Sequence, residues 1–155
     1  MNAIAIVAHG LAATVWVGGM FFAYVILRPT VAALEPHRRL TLWDGVFRRF
    51  FSWVWVSVAV LLLSGYWLMF QAFGGFGSSP VHVHIMHLVG LIMMLIFAYL
   101  YIKPRREFQL QVIAENWTEA GATLNRIRQI VLINLVLGLI VLVIAFSGRF
   151  ILQYI

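Results

Sequence analysis

Residues 83–102 read VHIMHLVGLIMMLIFAYLYI, twenty consecutive residues without Asp, Glu, Lys or Arg. A helix of about 20 mostly apolar residues crosses the roughly 30 Å hydrocarbon layer of a membrane. Three more stretches share this character, at residues 3–27, 50–70 and 130–146. Because a backbone in lipid must satisfy its own hydrogen bonds, these stretches predict helices. The sequence therefore predicts an all-α integral membrane protein, an up-down four-helix bundle in a single domain over residues 1–155.

The composition excludes several other classes of protein. Hydrophobic residues make up 63% of the 155 residues, and charged residues make up 10%. Soluble domains have about 45–50% apolar and 25% charged residues. The chain has no cysteine, which excludes disulfides, thiolate metal sites and cysteine nucleophiles. The net charge of +6 lies in patches between apolar stretches, a pattern typical of membrane topology rather than nucleic-acid binding.

The basic residues predict an orientation in the membrane. The first connection carries five arginines and the third carries one lysine and four arginines, whereas the second, residues 71–80, carries no charge. The positive-inside rule places the first and third connections in the cytoplasm. Both termini and the second connection are then expected on the outer, periplasmic side of a bacterial-type inner membrane. Arg149 is the one basic residue that departs from the rule.

The third connection mixes acidic and basic residues over about 25 positions. Because proline cannot continue a helix without a break, we expect the third helix to extend past Lys103, break near Pro104 and restart before Arg126. The simplest interpretation of this segment is a solvated loop whose charges help to orient the protein.

Histidines are the candidate functional residues, because no span contains a charged side chain. An ionisable residue inside a membrane span is costly and points to function. His9 in the first span and His87 in the third lie at similar depth in the outer half of the membrane. These helices are diagonal partners in an up-down bundle, so the two imidazoles are predicted to hold a haem iron axially. His84, three residues before His87, is the alternative partner.

Further side chains are predicted to complete this haem site. Trp16 and Met20 lie on the His9 side of the first helix, where they would wall a flat apolar ligand. Arg28 follows the first span directly, so it either reaches the headgroups or pairs with a cofactor carboxylate. The alternative for all of these residues is packing alone, since small residues often serve only to bring membrane helices together.

The same outer end also predicts a copper site. Imidazole and thioether groups suit copper. The candidate ligands near the aqueous mouth are His82, His84, His87 and Met86. Met20, Met93 and Met94 would continue a path inward, although methionine is also a common filler of cores.

The first span resembles that of the CopD family, which is associated with copper resistance and uptake. The resemblance rests on His9, on Trp16 seven residues later, on the pair Gly18 and Gly19, and on Arg28-Pro29 at the end of the span. It continues at residues 48–50, 63–65 and 124–126. The resemblance implies a membrane scaffold with a histidine-based site near the outer face.

The outline also resembles the HemJ-type protoporphyrinogen oxidases, which are four-helix proteins that bind haem b. Their first-helix His, Trp and Gly match His9, Trp16 and Gly19, and the third helix begins with a similar histidine at His84. Met86 stands where that family has a functional lysine, which argues against the oxidase activity.

Together these observations favour a haem-b membrane protein of the CopD superfamily that transfers electrons. The haem would do the redox chemistry, and a quinone or a redox protein would be the partner within the lipid bilayer. A copper-binding or copper-transporting protein is the second hypothesis. A cofactor-free assembly subunit is the third.

Overall fold

The computed structural model describes the backbone of residues 1–151 and the side chains of residues 1–148, and no strand occurs in this part of the chain. Four helical segments are long and apolar enough to cross a membrane. The predicted all-α membrane class is therefore confirmed. The side chain of Arg149, the predicted exception to the charge rule, lies outside the described residues.

The helices are labelled here in chain order. They are α1 (Asn2–Phe21), α2 (Pro36–Gln71), α3 (Val81–Ile102), α4 (Pro104–Ile113) and α5 (Trp117–Ile151). The main contacts pair α1 with α2 and α3 with α5. These pairs hold the first span against the second and the third span against the fourth.

The first span ends in a wider helical turn. A π-helix, Phe22–Leu27, follows α1 directly and leads into Arg28 and Pro29. Proline has no N–H group, so Pro29 leaves the Val25 carbonyl without its usual donor four residues on. The Arg28 N–H bonds instead to the Ala23 carbonyl, five residues back. Single π turns of this kind occur often at functional sites.

The third connection is helical and packed, so its interpretation as a solvated loop was wrong. It consists of α4 and the first turns of α5, which pack against each other. Phe108 of α4 and Ala120 and Leu124 of α5 are buried. Several charged residues of this segment, such as Arg106 and Arg126, are exposed on the outer faces of these helices. In the sequence the charges were easier to recognise than the buried positions between them.

The break near Pro104 and the restart before Arg126 match the expectation, whereas the third helix ends just before Lys103 rather than past it. α3 ends at Ile102, α4 begins at Pro104, and α5 begins at Trp117, ahead of Arg126. Proline is favoured at the first position of a helix, because the N–H group that it lacks would have no partner within the helix there. This preference explains why α4 starts at Pro104.

The centre of the bundle is a cluster of aromatic rings from four helices, called the aromatic core below. Ring centroids of Phe47 and Phe51 on α2 are 5.2 Å apart, and Phe97 of α3 lies 5.5 Å from Phe51. Trp16 of α1 lies 6.0 Å from Phe97, and Phe108 of α4 lies 5.7 Å from Phe47. All five side chains are at most 5% exposed.

A glycine allows close packing beside this core. A Cβ atom at Gly138 of α5 would lie 2.8 Å from the Val17 Cγ2 atom and 3.1 Å from the Met93 Cε atom. Small residues at such positions let membrane helices approach each other. Gly138 therefore brings α5 against both α1 and α3.

Candidate functional site

Four of the five histidines lie at one end of the bundle, called the histidine end below. His9 is on α1, and His82, His84 and His87 are on the first two turns of α3. His37 lies at the opposite end, exposed, with its Nδ1 atom 3.6 Å from a Glu35 carboxylate oxygen. This placement agrees with the predicted segregation of the histidines.

The glycine-rich connection between α2 and α3 folds back over the histidine end. Gly74 and Gly75 have φ angles of +77° and +109°, which L side chains rarely adopt. A short 3₁₀ turn, Phe76–Ser78, follows and places the Phe76 ring against the start of α3. The connection thus supplies an aromatic ring to the cluster of histidines.

His9 is oriented by a serine on the neighbouring helix. Its Nδ1 atom lies 2.9 Å from the Ser64 Oγ atom of α2. The Ser64 hydroxyl donates to the Val60 carbonyl of its own helix, so it accepts the proton that His9 Nδ1 donates. This tautomer leaves the Nε2 lone pair of His9 free. Metal-binding histidines are commonly held in this way, with one ring nitrogen donating to a neighbouring group.

A glycine next to that serine makes room for the imidazole. A Cβ atom at Gly65 would lie 3.3 Å from the His9 Cε1 atom. The Ser64-Gly65 pair on α2 therefore forms the seat of His9, with the serine as hydrogen-bond partner and the glycine as the open position.

His84 and His87 both pack against the ring of Phe76. The centroid distances to this ring are 6.5 Å for His84 and 5.8 Å for His87. The His87 ring also meets the edge of Tyr66 on α2 at 5.4 Å. Residues three apart on a helix are neighbours on its surface. The structure thus brings His84 and His87 together beside one aromatic ring.

His82 contacts a different helix. A Cβ atom at Gly148, near the end of α5, would lie 2.9 Å from the His82 Cδ2 atom. The Nδ1 atom of His82 is buried and has no hydrogen-bond partner in the described part of the chain. Among the described residues, no group of three or more His, Cys, Asp or Glu side chains is arranged to hold a metal ion.

His9 and His87 contact opposite sides of α2. His9 bonds to Ser64, whereas His87 packs on Tyr66. Two residues along a helix correspond to a rotation of about 200°. These contacts do not bring the two imidazoles together, and their predicted pairing on one iron stays a prediction.

The other predicted site residues are spread along the molecule. Trp16 and Met20 are buried, 2% and 3% exposed, in the apolar centre. A Cβ atom at Gly19 would overlap the Phe50 ring, so this glycine serves helix packing. Arg28 is exposed and lies roughly 28 Å from His9 along the helix axis, at 1.5 Å per residue. The structure does not bring Arg28 and His9 into one site.

Sequence reasoning missed the partners of the histidines. Ser64 and Gly65 appeared only within a short matching stretch, and Phe76 appeared only as part of an uncharged connection. A serine-glycine pair near the end of an apolar span was the available signal for the seat of His9.

Comparison with known proteins identifies one family. A family model described as CopD, Copper resistance protein D, matches residues 44–147, about two thirds of the chain. The match includes the three histidines of α3 and the Ser64-Gly65 seat, and it begins after His9. No curated protein and no solved structure matches the chain.

The bond between His9 and Ser64 can be tested by removing the acceptor. We expect Ser64→Ala to destabilise the protein by about 0.6 kcal/mol and by no more than about 1.7 kcal/mol, the range found for interhelical hydrogen bonds in membranes. Ser147→Ala is the control, because among the described residues its hydroxyl bonds to the Val143 carbonyl of its own helix and to no neighbouring helix. The free energy of unfolding in detergent is measured for both variants. Equal losses of stability in the two variants would contradict the interhelical role of Ser64.

Proposed function

Because the chain belongs to the CopD family, we propose that it is a copper-handling membrane protein that binds copper ions at its histidine end. The observation that carries this proposal is the pair His84 and His87, one turn apart on α3 and both packed on Phe76. The family description, Copper resistance protein D, suggests the metal. The paired imidazoles supply nitrogen donors that suit it.

The exposure of these residues supports a route from water to the site. His84 is exposed, and His87 is half-buried one turn further into the helix. An ion arriving from solution meets His84 first and then binds between the two rings. Met86, half-buried and next to His87 in the chain, offers a thioether near the pair.

The charge of the surroundings favours the singly charged copper ion. No Asp, Glu, Lys or Arg occurs between residues 50 and 102. Without a carboxylate nearby, the charge of a bound ion is not balanced by the protein. Removing a doubly charged ion from water into such a site costs more free energy than removing a singly charged ion. Neutral nitrogen and sulfur donors also suit Cu(I). The site is therefore expected to prefer Cu(I) to Cu(II).

Copper binding is tested by titrating the purified protein with Cu(I) against a chromophoric chelator. We expect His84→Ala and His87→Ala each to weaken binding by about tenfold or more, equivalent to about 1.4 kcal/mol for a lost ligand. His37→Ala is the matched control, because that histidine lies at the other end of the molecule beside Glu35. Unchanged affinity in both α3 variants, or an equal loss in the control, would refute the proposed site.

We further infer that the histidine end faces the outer side of a bacterial-type inner membrane. The opposite end carries ten of the eleven basic residues, which favours the cytoplasmic side. The chain has no cysteine of its own, so single introduced cysteines report sidedness cleanly.

Two cysteine variants measure this orientation in intact cells. An impermeant maleimide should label Gly77→Cys, where a side chain meets open space, without breaking the membrane. Thr118→Cys, an exposed position of α5, should react only after the membrane is permeabilised. The reverse labelling pattern would show that the orientation is inverted.

Haem b is the second candidate, favoured by the geometry of His9. The Ser64 hydroxyl fixes the His9 tautomer with the Nε2 lone pair free, which is the state that ligates iron. In this case His9 would hold the haem iron, and the bound haem would supply electron transfer in an apolar environment.

Absorption spectra of protein purified after expression with a haem supply test this candidate. A Soret band with a sharp α band after dithionite reduction is expected if haem is bound. His9→Ala should then remove the Soret band, while His82→Ala should keep it, because His82 packs on Gly148 instead. A colourless wild-type protein, or a haem spectrum that survives His9→Ala, would exclude His9-bound haem.

A further inference from the structure

The end of the bundle opposite the histidines contains a cavity of about 660 Å³ lined by three arginines. This end, called the arginine end below, comprises the turn at Arg28, the start of α2 and the first turns of α5. The arginines are Arg28, Arg39 and Arg128, with Tyr24, Val25 and Ala32 between them. The cavity belongs to neither candidate for the histidine end.

Neighbouring rings and carbonyls hold the guanidinium groups in place. The Arg28 guanidinium carbon lies 4.9 Å from the Tyr24 ring centroid, and that of Arg128 lies 5.7 Å from the Trp43 ring centroid. An aromatic face supports a guanidinium without using its N–H donors. Arg128 donates through one Nη1 hydrogen to the Asn125 Oδ1 atom, at 3.1 Å. The remaining donors of these guanidinium groups stay available for a ligand.

The positive charge of the cavity is not neutralised by the protein. In the described part of the chain, the ion pairs lie elsewhere and join Glu35 to His37, Asp44 to Arg48 and Glu107 to Arg126. Arg39 donates only to the Ala32 carbonyl, at 3.2 Å, among the bonds that the described residues make. The Nε atom of Arg128 is buried without any partner there. An anion in the cavity would therefore contact guanidinium groups that no carboxylate of the described residues neutralises.

The cavity lies where lipid headgroups are expected. Arg28 is the first residue after the apolar stretch 3–27, and Arg128 lies two residues before the stretch 130–146. Val25 lines the cavity and is 47% exposed on the outer surface of the first span. The cavity therefore joins the surface that faces the acyl chains.

The apolar crevice behind the cavity is too small for an acyl chain. It is lined in part by Trp43, Phe47 and Phe51 and has a volume of about 20 Å³. That volume holds about one water molecule. A lipid bound here would place its headgroup in the cavity and its chains outside, over Val25.

We propose that this cavity binds the phosphate headgroup of an anionic phospholipid. Guanidinium groups bind phosphate oxygens through paired N–H donors, and basic pockets between membrane helices are known to hold anionic headgroups. The apolar wall at Val25 distinguishes a lipid from a free anion, because it would contact the chains that a free anion lacks. Occupation of the cavity would fix the π-helical end of the first span against α2 and α5.

Native mass spectrometry of the full chain in mild detergent, titrated with phosphatidylglycerol, tests the proposal. Arg28→Gln and Arg128→Gln should each weaken lipid binding by about fivefold, the effect of about 1 kcal/mol per basic residue at a membrane surface. Arg38→Gln is the matched control, because it removes the same charge from the neighbour of Arg39, outside the cavity lining. Ala32→Trp should also weaken lipid binding, because the indole would obstruct part of the cavity while all the arginines are kept.

Three results would overturn the proposal. Equal binding of phosphatidylcholine would show that the headgroup charge is not recognised. Displacement of the lipid by millimolar inorganic phosphate would show a site for free anions. An equal loss in Arg38→Gln would show diffuse attraction to the basic surface. If an arginine variant fails to fold, Ala32→Trp provides the test with the charges kept, and unchanged lipid binding in that variant would place the lipid outside this cavity.

Discussion

The structure depends on the aromatic core, where rings from four helices meet around Phe51 and Phe97. Lipid tails are as apolar as these side chains, so association in a membrane relies on close packing rather than on exclusion from water. Edge-to-face contacts such as those of Phe97 with Phe51 and Trp16, at 5.5 and 6.0 Å, favour one mutual arrangement of the helices. The core also includes Phe108, so the segment after the third span is fixed to the bundle as well.

This dry centre separates two polar ends of different chemistry. The histidine end carries imidazole donors, with the His9 ring held by Ser64 and the rings of His84 and His87 gathered around Phe76. The arginine end carries fixed positive charges around a cavity. Bases that bind a soft metal ion and cations that bind a phosphate would interfere with each other at close range. The length of the membrane span keeps them apart.

The spans could be predicted from the sequence because the bilayer demands the same apolar length everywhere. The ends of the helices outside the membrane spans could not be predicted as well. For example, α2 begins at Pro36, whereas the predicted span begins at residue 50. In that region Trp43 and Phe47 face the core while Arg48 faces outward. The hydropathy averaged over a stretch of sequence does not reveal such an alternation of buried and exposed positions. The histidines stood out by their rarity in apolar segments. Their partners depend on helix rotation and on the fold of a loop, which no spacing along the chain reveals.

The aromatic core also bears on what copper can do in this protein. Met20 and Met93 were predicted to continue a path inward, and both lie within the apolar centre at 3% and 4% exposure. Their burial among contacting rings makes them packing residues in this conformation. An ion moving inward along these methionines would have to displace packed side chains of the core, such as the Trp16 and Phe97 rings in contact at a centroid distance of 6.0 Å. The packing of this core therefore argues against passage of copper through the bundle of a single chain.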